Sequence, residues 1–503
     1  MSRVRVRSYA LLSSALKIAA SFAFSIAVTR KLPLTDLGIL NIFSAAIVIG
    51  LVPNGISSFM APRLSAKYRN VQVTMILVSL ALGVVGVGIS GAFLFGLSRE
   101  IPSAYYYTII MLTFLSILAS SFNAPFSGGL TVFNRPRLVF TSMVTSAVKL
   151  VAILYIFYSN WSLLSVLISS FTISLSGVLY AAVNVRPYIR SFGRLRTTVR
   201  EFISGSWVSL LGYASSNIRS LDSFFIAAIG GISDNALWQV MSIMGSAYSF
   251  VGTLMNITYG ELLEVKSRVK RAYLDFLFII FLVTDVGIFV ISFEPNVVEF
   301  LRPTDSYLIV QLFVPVVLWT GMNVFGTVSQ YISTVMQGVD RVDMEREITL
   351  STYWNSLVFF ANFAEFISTL SYVVLIIPMV FLSKYIGAQL YIIDGVILSG
   401  WVSIVLAIII RVKKYPEIKE YIPLKSMVRD YFAPLIASSI VIYLLRHPLL
   451  ALFAPTVSAF KGLEYLTFLL AITSVVYLAV SLAFSKRMRL MLKVVIERIF
   501  KRV

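Results

Sequence analysis

Long apolar stretches separated by short polar or charged segments run the length of this chain, and they restrict its fold more than any other feature. Crossing about 30 Å of hydrocarbon takes roughly 20 apolar residues in a helix. Stretches of that kind occupy 8–29, 37–61, 71–97, 105–133, 138–158, 162–185, 203–229, 236–258, 272–292, 308–336, 352–382, 386–410, 431–452 and 463–485. Hydrocarbon offers no water to an unpaired amide, so each crossing must bond its own backbone, as a helix does. The predicted fold is therefore an all-α polytopic membrane protein of about 14 transmembrane helices. The 352–382 stretch stands apart because its first half is polar. An even number of crossings returns both termini to one side.

The cations say which side. Of 42 Lys and Arg, 32 fall in eight segments that occupy every second gap between the stretches. These are Arg3/Arg5/Arg7, Arg63/Lys67/Arg69, Arg135/Arg137, Arg186 to Arg200, Lys266 to Arg271, Arg341/Arg346, Arg411 to Arg429, and Lys486 to Arg502. Short loops rich in Lys and Arg stay in the cytoplasm during insertion. Both termini are thus expected in the cytoplasm of a multi-pass protein of the cell membrane. The opposite loops are short, and neither side has room for a separate domain.

At 58% hydrophobic the chain is no ordinary soluble globule, which is nearer 45–50%. Its net charge of +19 is spread over all the inner loops, with no single basic face of the kind nucleic acid requires. Attraction to anionic membrane lipids accounts for it. There are no cysteines, which excludes disulfide and thiolate chemistry. The first apolar stretch reads as a retained helix rather than a cleaved leader.

A weak internal repeat suggests the organisation. Phe24-Ser25-Ile26-Ala27 followed by Thr35-Asp36 is matched by Phe224-Phe225-Ile226-Ala227 followed by Ser233-Asp234. Each Thr/Ser-Asp pair could cap the helix that follows. Two pseudo-symmetric six-helix lobes result, 1–185 and 203–410, joined by a basic cytoplasmic linker at 186–202. Two further helices (411–485) and a basic amphipathic tail (486–503), suited to lying on the inner leaflet, complete the chain.

Six charged residues lie at bilayer depth: Lys17, Lys149, Arg219, Asp222, Asp285 and Glu365. Each costs at least ~2.5–3.5 kcal/mol to insert, so each should face a partner or a cavity. Arg219 and Asp222, three residues apart on a helix, can satisfy each other. Lys17 and Lys149 have no acid at similar depth in their own half. They are the candidates to line a wet cavity and hold an anion halfway across, where it would otherwise be desolvated alone. Asp222, Asp285 and Glu365 can serve as charge partners, and Asp285 and Glu365 can also bind a coupling H+ or Na+. The bland alternative makes all six structural ion pairs. Asn41, Asn54, Asn123, Asn217, Asn256, Asn323, Gln330 and Asn362 add polarity within the stretches. Pro53, Pro125 and Pro315 offer sites for bends.

Other patterns carry little. Gly86-Val87-Gly88-Ile89-Ser90-Gly91 fits a dinucleotide fingerprint but has no strand before it, and close helix packing explains it better. Loops this short assemble no metal site or catalytic set, so neither an enzyme nor a cofactor is expected.

The run Ala27-Val-Thr-Arg30-Lys-Leu-Pro-Leu-Thr-Asp36-Leu-Gly38 resembles the first helical hairpin of polysaccharide flippases in the multidrug, oligosaccharidyl-lipid and polysaccharide exporter superfamily. Pro53-Asn54-Gly55-Ile56 before a basic loop, and residues 205–240 with Asp222 and Gly230-Gly231, extend the resemblance over nearly the whole chain. Leu37 stands where an aromatic often precedes the glycine. The resemblance implies alternating access of two lobes around a cationic cavity. Its cargo would be a polyprenyl-(pyro)phosphate-linked oligosaccharide, moved from the cytoplasmic to the outer leaflet. Lys17, Lys149 and Arg219 would hold the anionic head group. Membrane lipids and glycan-assembly proteins are the implied partners. The alternative within the same fold is a cation-coupled exporter of drugs or small molecules.

Overall fold

The computed structural model describes residues 3–68, 71–160, 162–189, 195–218, 222–245, 269–302, 308–340, 353–451 and 459–490, with a few isolated positions between them. Among the described residues there is no strand. The chain divides into two compact units, Met1–Ser246 with Val342–Val373, and Ala247–Arg341 with Val374–Val503. This partition by packing differs from the repeat-based lobes.

The first unit holds α1 (Arg3–Lys31), α2 (Leu34–Gly50), α3 (Asn54–Lys67), α4 (Gln72–Gly96), α5 (Ser103–Ser121), α6 (Asn123–Phe133) and α7 (Arg135–Tyr158). It continues with α8 (Ser162–Val185), α9 (Leu195–Ile218) and α10 (Asp222–Gly245). The second holds α11 (Val269–Ser292), α12 (Glu294–Leu301) and α13 (Leu308–Val339). The next helix, α14 (Leu357–Tyr385), runs from the first unit into the second. There follow α15 (Tyr391–Lys414), the short α16 (Ile418–Tyr421) and α17 (Leu424–Met427), α18 (Ala433–Ala451) and α19 (Ala459–Phe484). A π-helical turn, Val428–Phe432, joins α17 to α18.

Among the described residues, ten helices are long and apolar enough to cross a membrane. Their surfaces expose large apolar side chains, including Val84, Phe95, Val151 and Leu154. Water would penalise such a surface and lipid does not. The interior in turn buries serines and threonines, as expected where helices pack closely without a hydrophobic drive between them. The chain is a multi-pass membrane protein.

Several expected boundaries move for identifiable reasons. The 37–61 stretch breaks at Leu51 to Pro53 into α2 and α3, and 105–133 breaks at Phe122 into α5 and α6. Pro53 and Pro125 sit at or just after these breaks, where the missing amide hydrogen has no helical partner to lose. Pro315 instead lies inside a continuous α13. The polar start of 352–382 is a turn, and Ser356 caps α14 by accepting from the Phe359 amide at 3.0 Å. Glycine at position 231 (φ 76°) breaks α10 where a loop was expected. The anticipated cap from Thr35-Asp36 does not form: Pro33 holds the N-cap without a side-chain bond, and Asp36 bonds Ser162 from inside the first turn. The amphipathic tail lies mostly outside the described residues.

The two repeat segments meet directly. Gly38 on α2 lies so close to α10 that a Cβ there would stand 2.5 Å from the Ile232 carbonyl oxygen. Buried Asn41 donates to Asn235 Oδ1 at 2.7 Å, and Asn235 donates back to the Gly38 carbonyl at 3.0 Å. The glycine-rich run on α4 is likewise a packing device. A Cβ on Gly86 would stand 1.9 Å from the Gly50 carbonyl oxygen, whereas one on Gly88 would meet nothing within 4 Å.

Two outcomes follow from this packing. Gly86→Ala should cost about 1–3 kcal/mol of stability by overpacking, while Gly88→Ala should be neutral. Thermal unfolding in detergent measures both, and equal shifts would refute the contact. Glu294 opens α12 with its side chain buried. Burial pushes its carboxyl up from 4.5 to about 7, against the opposing pull of Arg446. A raised acid favours the protonated folded state, so its contribution to stability should fall as pH rises from 4.5 to about 7. Glu294→Gln should flatten melting temperature against pH across that window; an unchanged slope would rule Glu294 out as the cause.

Candidate functional site

Two of the expected cations come together in the first unit. Three contacts between α1 and α7 advance in step along both helices. Ser13 Oγ donates to the Val139 carbonyl at 3.2 Å, Lys149 Nζ to Ser21 Oγ at 2.8 Å, and Lys31 Nζ to the Phe157 carbonyl at 3.5 Å. The helices therefore run parallel, and the basic starts of both, Arg3/Arg5/Arg7 and Arg135/Arg137, lie at one end of the pair. Lys17 and Ser21, four residues apart, share a face of α1. Lys149 thus sits beside Lys17, near enough for the two ammonium charges to repel. Lys17 is exposed and Lys149 half-buried. Among the described residues no carboxylate pairs with either. Two like charges are held together here, with a serine hydroxyl in place of an acid.

Arg219 lies outside the described residues. Its expected partner Asp222 opens α10 and accepts from the Tyr372 hydroxyl of α14. Tyr372 belongs to a polar seam in the same unit. Asn362 packs against Gly212, where a Cβ would stand 2.0 Å from its Oδ1, and Thr369 donates to the Ser215 carbonyl at 3.1 Å. Asn362, Glu365, Thr369 and Tyr372 follow helical spacing along one face of α14, so half-buried Glu365 lies on this seam.

The remaining acid, Asp285, is on α11 in the second unit and only 5% exposed. Ser474 Oγ of α19 donates to its Oδ2 at 2.5 Å, and its Oδ1 has no hydrogen-bond partner. Nearby lies a cavity of about 980 Å³ lined almost wholly by apolar side chains of α11, α13, α15 and α18, with Lys419 and Arg446 on its wall.

The polar residues expected to wet the interior divide. Asn41 and Asn54 bridge helices, the latter donating to Ser121 Oγ at 2.7 Å. Asn323 and Asn362 donate to carbonyls one turn back in their own helices. The Asn217 and Asn256 side chains lie outside the described residues.

Sequence reading missed a buried cation. Arg411, assigned to an inner loop, is 1% exposed in α15 and donates to Ser329 Oγ at 2.5 Å and to the Ser329 carbonyl at 3.1 Å. Its signal was present: buried Asp394, Ile397, Gly400, Ile404 and Ala407 form a helical stripe that runs on to residue 411.

No protein-family model and no curated protein sequence matches the chain. Solved structures do. The lipid II flippase MurJ in an inward closed conformation matches with a TM-score of 0.62 at 12% identity, over 93% of this chain and 97% of that one. An outward-facing MATE multidrug transporter of the MOP superfamily gives 0.53 at 15%, over 82% and 96%. MATE in its straight conformation gives 0.52 at 16%, over 82% and 95%. The chain has the all-α polytopic fold that these transporters of the MOP superfamily share.

Proposed function

We propose that this protein is a flippase that moves a polyprenyl-(pyro)phosphate-linked oligosaccharide from the cytoplasmic to the outer leaflet by alternating access. The observation that carries the reading is the Lys17/Lys149 pair. A phosphate crossing alone would face the full cost of desolvation, and two unneutralised ammonium groups offset it at mid-depth. Arg219 is assigned to the same role from its place in the sequence. The apolar cavity of the second unit suits an isoprenoid chain. The overlap with the flippase is fuller, 93% of this chain against 82% for the exporters. Both termini are placed in the cytoplasm, with lobes 1–185 and 203–410 moving against each other and glycan-assembly proteins as neighbours.

Coupling is assigned to the buried carboxylates, with Asp222 and Glu365 as charge partners in the α9–α10–α14 seam. The second reading, a cation-coupled exporter of drugs or small molecules, is favoured by the likeness to MATE transporters and by the buried acids of the second unit.

Reconstituted vesicles decide between them. A fluorescent polyprenyl-pyrophosphate saccharide should become accessible on the far side with the wild-type protein. Replacing either lysine by Gln should slow this by roughly 10–100-fold, the equivalent of one charge-assisted phosphate bond. Uptake of a cationic dye with no movement of the glycolipid would overturn the flippase reading in favour of the exporter.

A further inference from the structure

Asp285 lies on α11 between two other buried acids, Glu294 and Asp430, each of which has a cation. At the outer end Glu294 feels Arg446. At the inner end Asp430, in the π-helical turn, bonds Arg487 at 3.3 Å, Tyr273 at 3.3 Å and Ser485 at 2.7 Å. Between them Asp285 has Ser474 alone. Lys419 and Glu420 of α16, Arg429 of the π-helical turn and Glu299 of α12 lie on elements packed against α11, but among the described residues none bonds or pairs with Asp285. The sequence of α13 contains no charged residue, that of α19 has only Lys461 and Glu464 at its far end, and that of α18 has only Arg446 and His447 near its end. The titratable groups facing Asp285 are Tyr477 of α19 and, beyond it, Tyr431 of the π-helical turn. A carboxylate buried this deeply with one oxygen unpaired is costly to hold as an anion. Among the described residues no group of His, Cys, Asp and Glu could hold a metal ion.

A line of hydroxyls leads from the cavity toward it. The Thr284 and Tyr431 hydroxyls share a 2.7 Å hydrogen bond, and both residues line the cavity of the second unit. Tyr477 reaches the Thr284 hydroxyl and stands within electrostatic range of both Asp285 and Tyr431.

We propose that Asp285 is a proton-binding site, loaded from the cavity of the second unit through the hydroxyls of Tyr431, Thr284 and Tyr477. Each hydroxyl releases its own proton as it accepts another, so the net step adds one proton to the Asp285 carboxylate. Ser474 bonds the carboxyl in either state and ties α19 to α11, so gaining or losing the proton alters the charge buried in that seam. The coupling role of this site rests on the transport reading above; the protonation does not.

Infrared difference spectroscopy on the full chain in nanodiscs tests it without a substrate. At pH 5 in sodium-free buffer, wild type should show, beyond the bands of other buried carboxyls such as Glu294, a C=O band of a buried protonated carboxyl that Asp285→Asn, which mimics the protonated form in shape, lacks. Tyr431→Phe should keep the band but slow its shift on transfer to deuterium oxide by tenfold or more. A band absent from wild type, kept in Asp285→Asn, or abolished by adding NaCl would overturn the proton site. Unslowed exchange in Tyr431→Phe would overturn the route. A band that behaves as expected in a protein that moves no glycolipid would sink the transport reading and leave the proton site standing.

Discussion

A charge in hydrocarbon must find a partner, a cavity or a proton. Asp430 and Arg411 take partners. Arg487 meets the first, and the Ser329 hydroxyl and carbonyl meet the second. Lys17 and Lys149 are placed side by side instead, and among the described residues neither has a carboxylate partner. Asp285 has neither arrangement and is left with a serine. Sorting the charges by their partners separates residues met by charged or carbonyl groups from those that, among the described residues, have only a serine hydroxyl. Depth alone does not make that distinction.

The same scarcity governs the packing. Lipid-facing surfaces gain nothing by association, so the helices are held by close approach and by polar bonds between them. Gly86 against Gly50 and Gly38 against Ile232 bring backbones nearly into contact. The Asn41–Asn235 pair adds a bond at the second of these places. It lies between the two helices that carry the weak repeat, α2 and α10, which pack against each other.

Much of the fold was legible because hydrophobic length and the sidedness of cations are direct imprints of the bilayer. The ends of α4, α8 and α11 fall within a few residues of the stretches read from sequence. What sequence could not show was where a long apolar run breaks. At Leu51 to Pro53 and at Phe122 hydropathy continues while the helix stops, since a break changes backbone geometry and not polarity. Capping at Thr35-Asp36 failed because Pro33 already held that position. For the site, spacing placed Lys17 and Lys149 at one depth, but their adjacency depends on α1 and α7 running parallel, which no local pattern encodes. Arg411 was assigned to a loop because a cation near a helix end usually lies outside the membrane, and the buried stripe leading to it was overlooked.

The π-helical turn at Val428–Phe432 gives two consecutive residues a common target. In an α-helix neighbours point about 100° apart, yet here Asp430 bonds Tyr273 and Tyr431 bonds Thr284, both on α11. The widened turn accommodates one more residue than regular winding would. Losing a single residue from it would restore regular winding and rotate one of the two side chains away, while leaving every hydrophobic residue of α18 in place. Length at this one point thus acts as a register mark, setting whether the inner ion pair and the hydroxyl pair can exist on the same helix.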